Sequence, residues 1–274
     1  MNLTEVMSAL ERAGSEGTRK TLQRHGARPP LFGVSYGDLN GLQKRLGTDH
    51  ALAQQLWNSG NHDARVLATL IADTGRANDA LLEEWLHDSQ GRALLTMFAA
   101  FAGRSRAGRD AAWRWIEDLA EHRQAAGWTV LAVAAGQADA DEPRLGALLP
   151  RIARAIHGAP NAARHAMNSC LIAIGGRPAL TGKALAAAKQ VGAVEVDHGD
   201  TACETPLATA YIEKMAARRA AKAGARAPAK SAAKGSAKRA TKSPAKGPGK
   251  SPGKGPVKSK TAKGAPKRAA ARRR

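Results

Sequence analysis

Residues 30–73 read PLFGVSYGDLNGLQKRLGTDHALAQQLWNSGNHDARVLATLIAD, and this stretch decides the fold class. It holds three short helical segments closed by cap residues. The first spans 35–46 and ends at Gly47. Asp49 is an N-cap for the second, 51–59, which Gly60 stops. Asn61 caps the third, 62–72. A short polar side chain accepts the otherwise orphaned N–H groups of a first helical turn, and glycine ends the last one. Short helices joined by two to four residues are built to lie antiparallel to their neighbours.

The same punctuation continues outward. On the N-terminal side, Asn2 or Thr4 opens a helix through Arg12, and 18–25 is a second. On the C-terminal side, Asn78 caps 81–87, and Ser89 or Gln90 opens 93–102, closed by Gly103. Helices then follow over 109–122, 125–135, 142–156, 161–174 and 181–191. Pro150 is expected to kink or split the segment 142–156. A non-helical stretch, 193–204, precedes a last helix that runs from Thr205 toward the C-terminus. About a dozen short helices and almost no strand predict an all-α chain. The helix-pair spacing predicts a HEAT-like antiparallel helical-repeat solenoid.

Charge divides the chain. It has 274 residues, 43 Lys and Arg, 23 Asp and Glu, and a formal net charge of +20. Residues 216–274 carry 20 of the basic residues and no acid, so residues 1–215 are formally neutral. The predicted organisation is a helical domain over 1–215 and a Lys/Ala/Pro/Gly-rich segment over 216–274. That segment has no aromatic residue, and Val257 is its only large aliphatic one, so it is expected to be disordered. Its core repeats SPAK, GPGK, SPGK and GPVK over 243–258, which with Lys242 just before them spread Lys242, Lys246, Lys250, Lys254 and Lys258 along a proline-stiffened backbone. Such a segment fits phosphates through counterion release. Its flanks are similar to linker-histone tails.

Other classes are excluded or disfavoured. No apolar run approaches the roughly 20 residues of a membrane span. The N-terminus lacks the pattern of a signal peptide. Cys170 and Cys203 make no disulfide framework, consistent with a reducing compartment. Asp197, His198, Asp200 and Cys203 share one loop but lack metal-ligand spacing, so no metal and no cofactor are expected. The expected location is cytoplasmic and nucleoid-associated.

Three segments carry a family resemblance: 30–73, IHGAPNAARHAMNSCLIAIG at 156–175, and VGAVEVDHGDTACETP at 191–206. They resemble the DNA alkylation repair family of bacterial HEAT-like, AlkD-like DNA glycosylases. The resemblance implies a curved solenoid whose concave basic face holds double-stranded DNA. It implies excision of cationic N3- or N7-alkylated purines by hydrolysis of the N-glycosidic bond. Trp side chains would lie against the damaged nucleotide, a carboxylate near the deoxyribose, and an Arg on the backbone. The chemistry is coherent. An alkylated purine is already a cationic leaving group, and a carboxylate stabilises the oxocarbenium-like sugar more in the transition state than in the ground state.

The candidate catalytic residues are Trp85, Asp88, Arg123 and Trp128. No acid lies between Asp88 and Asp110, so Asp88 in LLEEWLHDSQG is the nearest carboxylate, with helix capping as the competing role. In HRQAAGWTVLA, Ala125 occupies the position where an Arg is expected, and Arg123 is the nearest one. Trp113 and Trp115 are two apart and cannot both face one side of a helix. Arg92, Arg104, Arg106 and Arg109 form a basic cluster around one helix-to-helix turn, and with Arg123 and Arg151 they are the candidate phosphate-binding face. The sequence thus predicts a monomeric, DNA-binding helical-repeat protein, for which the resemblance implies excision of alkylated purines. The alternative is a non-catalytic DNA-binding relative or a helical scaffold that has lost the carboxylate.

Overall fold

A computed structural model describes residues 1–226 of the chain. Thirteen α-helices form among them: α1 (Leu3–Ala13), α2 (Glu16–Arg24), α3 (Tyr36–Leu46), α4 (His50–Asn58), α5 (His62–Ile71), α6 (Asp79–Asp88) and α7 (Arg92–Arg104), then α8 (Arg106–Trp115), α9 (Glu121–Ala134), α10 (Glu142–Ala155), α11 (Asn161–Gly175), α12 (Thr181–Val191) and α13 (Ala208–Arg226). No strand forms among the described residues beyond an isolated bridge between Gly14 and Val34.

The caps work as the sequence suggests. Asp49 Oδ1 accepts from the Leu52 N–H at 3.0 Å, Asn61 Oδ1 from Asp63 and Ala64, and Asn78 Oδ1 from Leu81 at 3.0 Å. Each such cap contributes about 1 kcal/mol. Several boundaries differ from expectation. The last helix starts at Ala208 rather than Thr205, and Gly91 rather than Ser89 or Gln90 is the N-cap of α7. Gly103 lies inside α7 rather than ending it. A side chain there would meet Val133 of α9 at 2.6 Å, so this glycine permits a close helix–helix approach. The segment expected as one helix over 109–122 is broken, with α8 ending at Trp115 and α9 starting at Glu121. Pro150 sits within a continuous α10, on its exposed side.

The helices stack in two layers, as in HEAT-like repeats. Helices α5, α7, α9, α11 and α13 contact one another in succession. Helices α6 and α8, and α10 and α12, pack together in the other layer. Each helix of one layer also packs on its sequence neighbour in the other. A continuous core runs between the layers, and Trp57, Trp85, Trp115 and Trp128 are its largest fully buried side chains. Helix α13 extends to Arg226, so regular structure crosses the compositional boundary at 215/216. Lys242, Lys246, Lys250, Lys254 and Lys258 lie outside the described residues.

Candidate nucleic-acid interface

The four residues singled out for catalysis fall at three places. Trp85 of α6 is 1% exposed and stacks on Trp57 of α4, with ring centroids 4.2 Å apart and planes 7° apart. Phe101 also packs against Trp85, with ring centroids 5.2 Å apart and planes tilted by 39°. Such pairs add about 0.5–1.5 kcal/mol beyond burial, and they leave no indole face for a base. Trp128 of α9 is also 1% exposed. Both candidate indoles are therefore packed within the fold. Of the neighbouring pair, Trp115 is buried, while Trp113 is partly exposed beneath the Arg144 guanidinium, 3.9 Å from its ring centroid.

Asp88 is the last residue of α6. It does not cap α7, whose N-cap is Gly91 at φ 81°. Its carboxylate accepts from Arg65 Nη2 at 2.5 Å, and Arg65 Nε donates to the Trp57 carbonyl at 3.2 Å. The pair bridges α5 and α6 over the Trp57–Trp85 stack. It opens onto a cavity of about 180 Å³ lined also by Arg28, His62, Gln90 and Leu94.

Arg123 of α9 is clamped between two acids. Nη1 donates to Glu83 Oε2 at 2.5 Å and Nε to Asp118 Oδ2 at 2.7 Å. Trp115 Nε1–H donates to the other Glu83 oxygen at 2.9 Å. Burial alone would raise the Glu83 carboxyl, but the hydrogen bonds from Arg123 and Trp115 hold it below its usual range. Asp118 is lowered by the Ala120 N–H and then by Arg123, and Arg123 itself is raised, chiefly by Glu83.

The arginines expected to form one basic face are dispersed. Arg104, Arg106 and Arg109 do share the α7–α8 turn, but Arg92 opens α7 at its other end. Twelve residues of helix separate Arg92 from Arg104, about 18 Å. Arg109 pairs with Asp139 at 2.8 Å. Arg151 grips both oxygens of Glu117, donates to the Ile116 carbonyl at 2.9 Å, and lies 5.4 Å from the Trp128 centroid. Arg104 reaches the Thr69 carbonyl at 3.5 Å, and burial lowers it. Arg106 is almost fully exposed, 4.0 Å from Asp110.

Arg92 instead contacts the non-helical stretch 193–204. Its Nη2 lies 3.2 Å from His198 Nδ1, and His198 Nε2 lies 2.9 Å from Thr205 Oγ1. Asn161 and Asp197 exchange two hydrogen bonds at 2.8 Å, and Arg164 donates to the Glu195 carbonyl at 2.9 Å. These bonds strap the stretch across the starts of α7 and α11. Among the described residues no group of three His, Cys, Asp or Glu side chains is placed to hold a metal. No described helix is long and apolar enough to cross a membrane.

Three histidines set an acid limit on stability. His50 is lowered by burial, then by Arg76. His62 is lowered chiefly by burial, and His165 by burial, then by Arg92 and His198. Their folded values lie below the ordinary 6.5, so the unfolded chain binds protons more readily. Their contribution is complete above about pH 6.5 and is lost as pH falls below it. Thermal unfolding should therefore show a lower Tm at pH 5.5 than at pH 7.5. His165→Gln should reduce that difference, and an unchanged difference would remove His165 from this account.

A two-layered stack of short antiparallel helices around a continuous core defines a HEAT-like repeat protein. The chain belongs to the DNA alkylation repair enzyme family, which matches residues 6–211. It is 29% identical over 227 residues to the uncharacterized protein Lin0241 of Listeria innocua serovar 6a, covering 79% of this chain and 96% of that one. It is equally similar to the uncharacterized protein Lmo0209 of Listeria monocytogenes serovar 1/2a, 29% identical over the same shares. A solved structure superposes with a TM-score of 0.73 at 28% identity, over 80% of this chain and 95% of the other. That structure is described as a new family of proteins related to the HEAT-like repeat DNA glycosylases with affinity for branched DNA structures.

Proposed function

We propose that this protein binds double-stranded DNA, prefers branched over linear structures, and does not excise alkylated bases. It acts as a monomer and associates with the nucleoid, with residues 216–274 adding sequence-independent phosphate contacts. The observation that carries the reading is that each candidate for the excision chemistry is engaged within the fold. Trp85 and Trp128 present no free ring face. Arg65 at 2.5 Å neutralises most of the field that the Asp88 carboxylate would direct at a developing sugar cation. Arg123 is held by two carboxylates and has no free fork for a phosphate. The likeness to a protein described by its affinity for branched DNA supports the choice of ligand.

One observation favours a second reading, in which excision is retained: the Asp88 carboxylate still lines an open cavity. The test combines two assays. Purified protein in excess over methylated duplex DNA should release neither 7-methylguanine nor 3-methyladenine. A four-way junction should bind about tenfold more tightly than a linear duplex of equal length, a difference of about 1.4 kcal/mol. Release of a methylated base overturns the non-excising reading, and Asp88→Asn then tests the carboxylate. Equal affinity for both DNAs overturns the preference for branches.

A further inference from the structure

Helix α13 has two faces of opposite character. Its inner stripe docks it rigidly. Ala208 and Ile212 are 1% and 0% exposed, and Met215 packs beside them. Ile212 fills the space above Gly175 of α11, where any side chain would meet it at 2.6 Å. Arg219 continues the stripe, donating to the Gly176 carbonyl and, at 2.8 Å, to Thr181 Oγ1. The helix is thereby pinned to α11 and α12.

The outer stripe is Leu207, Tyr211, Lys214, Arg218 and Lys222, at spacings of four, three, four and four residues. That is one face of a helix. Leu207 and Tyr211 are 46% and 51% exposed, two of the few large apolar side chains left in solvent. The three cations after them are exposed as well. None takes part in an ion pair among the described residues, whereas Arg65, Arg109, Arg114, Arg123, Arg151 and Arg177 each have a carboxylate partner. Nine of the 22 Lys and Arg before α13 have a carboxylate within 4.0 Å, and Lys214, Arg218 and Lys222 are distinguished by standing unpaired in one row on one helix face. Glu213 is the one acid in α13, against Lys214, Arg218, Arg219, Lys222 and Arg226, so the helix keeps a net positive charge.

We infer that this outer face is a DNA site, in which Lys214, Arg218 and Lys222 track the phosphates of one duplex arm and Tyr211, backed by Leu207, packs on the base pair exposed at the branch point. The inference rests on the DNA-binding reading above and gives it a place. From Lys214 to Lys222 the helix rises about 12 Å, which spans three to four nucleotides of one strand. Linear duplex interiors offer phosphates but no exposed base face. A junction offers both, and an aromatic ring beside a row of cations is the combination that reads them together. A rigid helix suits this task because its side-chain spacing is fixed before binding.

The test uses the full chain and fluorescent four-way junction and linear duplex DNA at several salt concentrations. K214Q/R218Q/K222Q should weaken binding to both DNAs and reduce the slope of log K against log salt by about 2–3, at roughly 0.9 per lost contact. Tyr211→Ala should leave that slope unchanged and lower the junction preference about tenfold, while Tyr211→Phe retains it. All the substituted side chains are exposed, so Tm should not move. K183Q/K189Q, on α12, is the control. If wild type binds DNA but the triple variant keeps its slope, or the control loses as much, the α13 site is overturned and the DNA-binding reading stands. If wild type binds neither DNA, both fall. If the triple variant loses binding to anionic lipid vesicles and none to DNA, the stripe is a membrane contact and the inference is wrong.

Discussion

Asp63→Ala is expected to destabilise the folded chain by about 3–5 kcal/mol, the largest effect of any single substitution considered. The carboxylate lies in the first turn of α5 and is 1% exposed. It accepts three backbone hydrogen bonds from one short segment. Phe32 N–H donates to Oδ2 at 2.6 Å, Gly33 N–H to the same oxygen at 3.0 Å, and Val34 N–H to Oδ1 at 3.0 Å. Hydrogen bonds to a charged acceptor are stronger than neutral ones, and three buried donors would be left without partners. The segment cannot shift to find others. The Gly33 carbonyl accepts from Ser15 at 2.9 Å, and Gly33 has φ 81° with the α2 backbone close against it. Asp63 thus ties α1 and α2 to the repeats. Denaturant unfolding measures the loss as a lower midpoint at unchanged slope. Hydrogen exchange at residues 32–34 should accelerate in parallel. Asp63→Asn keeps one acceptor but turns an amide N–H₂ toward a backbone donor, so it should recover only part of the loss.

Much of the fold was legible from local chemistry. Asp49, Asn61 and Asn78 announced their helices, and 181–191 was read to the residue. The errors arose where a residue type serves two purposes. Gly103 reads as a helix stop but is a packing glycine under Val133, a distinction set by a helix thirty residues away. Pro150 reads as a break, yet α10 passes through it. The candidate site was less legible for a related reason. Its side chains are paired across long sequence separations: Arg65 with Asp88, Glu83 with Arg123, Glu117 with Arg151. No local spacing reports such a pair, so an arginine that reads as a free phosphate ligand can be a structural cross-link. The indoles pose the same problem, because helical spacing is common to a core tryptophan and a stacking platform. The α13 stripe was hidden differently. Its composition matches the basic segment after it, and only the docking of Ile212 and Arg219 marks it as one face of a helix.

Truncation after residue 227 is expected to lower DNA affinity about 100–1000-fold at about 0.1 M salt, the largest functional effect. It removes 16 of the 43 Lys and Arg and no acid, while leaving α13 whole. A tethered second binding element raises affinity by about 10²–10⁴ without new contacts in the first. Its contribution here is counterion release, at a slope near 0.9 per phosphate neutralised. Two consequences separate this role from that of the repeats. The full chain should show the steeper salt dependence, and the two proteins should converge in affinity as salt rises toward 0.5 M, where Lys–phosphate contacts are screened within about 4–5 Å. The junction-to-duplex ratio should survive truncation, because a run of Lys and Arg without aromatic residues reads phosphate density and not the geometry of a branch. Fluorescence anisotropy across a salt series checks both. An unchanged slope would show that residues 228–274 do not touch the DNA. A lost ratio would show that branch recognition lies in those residues, not in the helical repeats and α13.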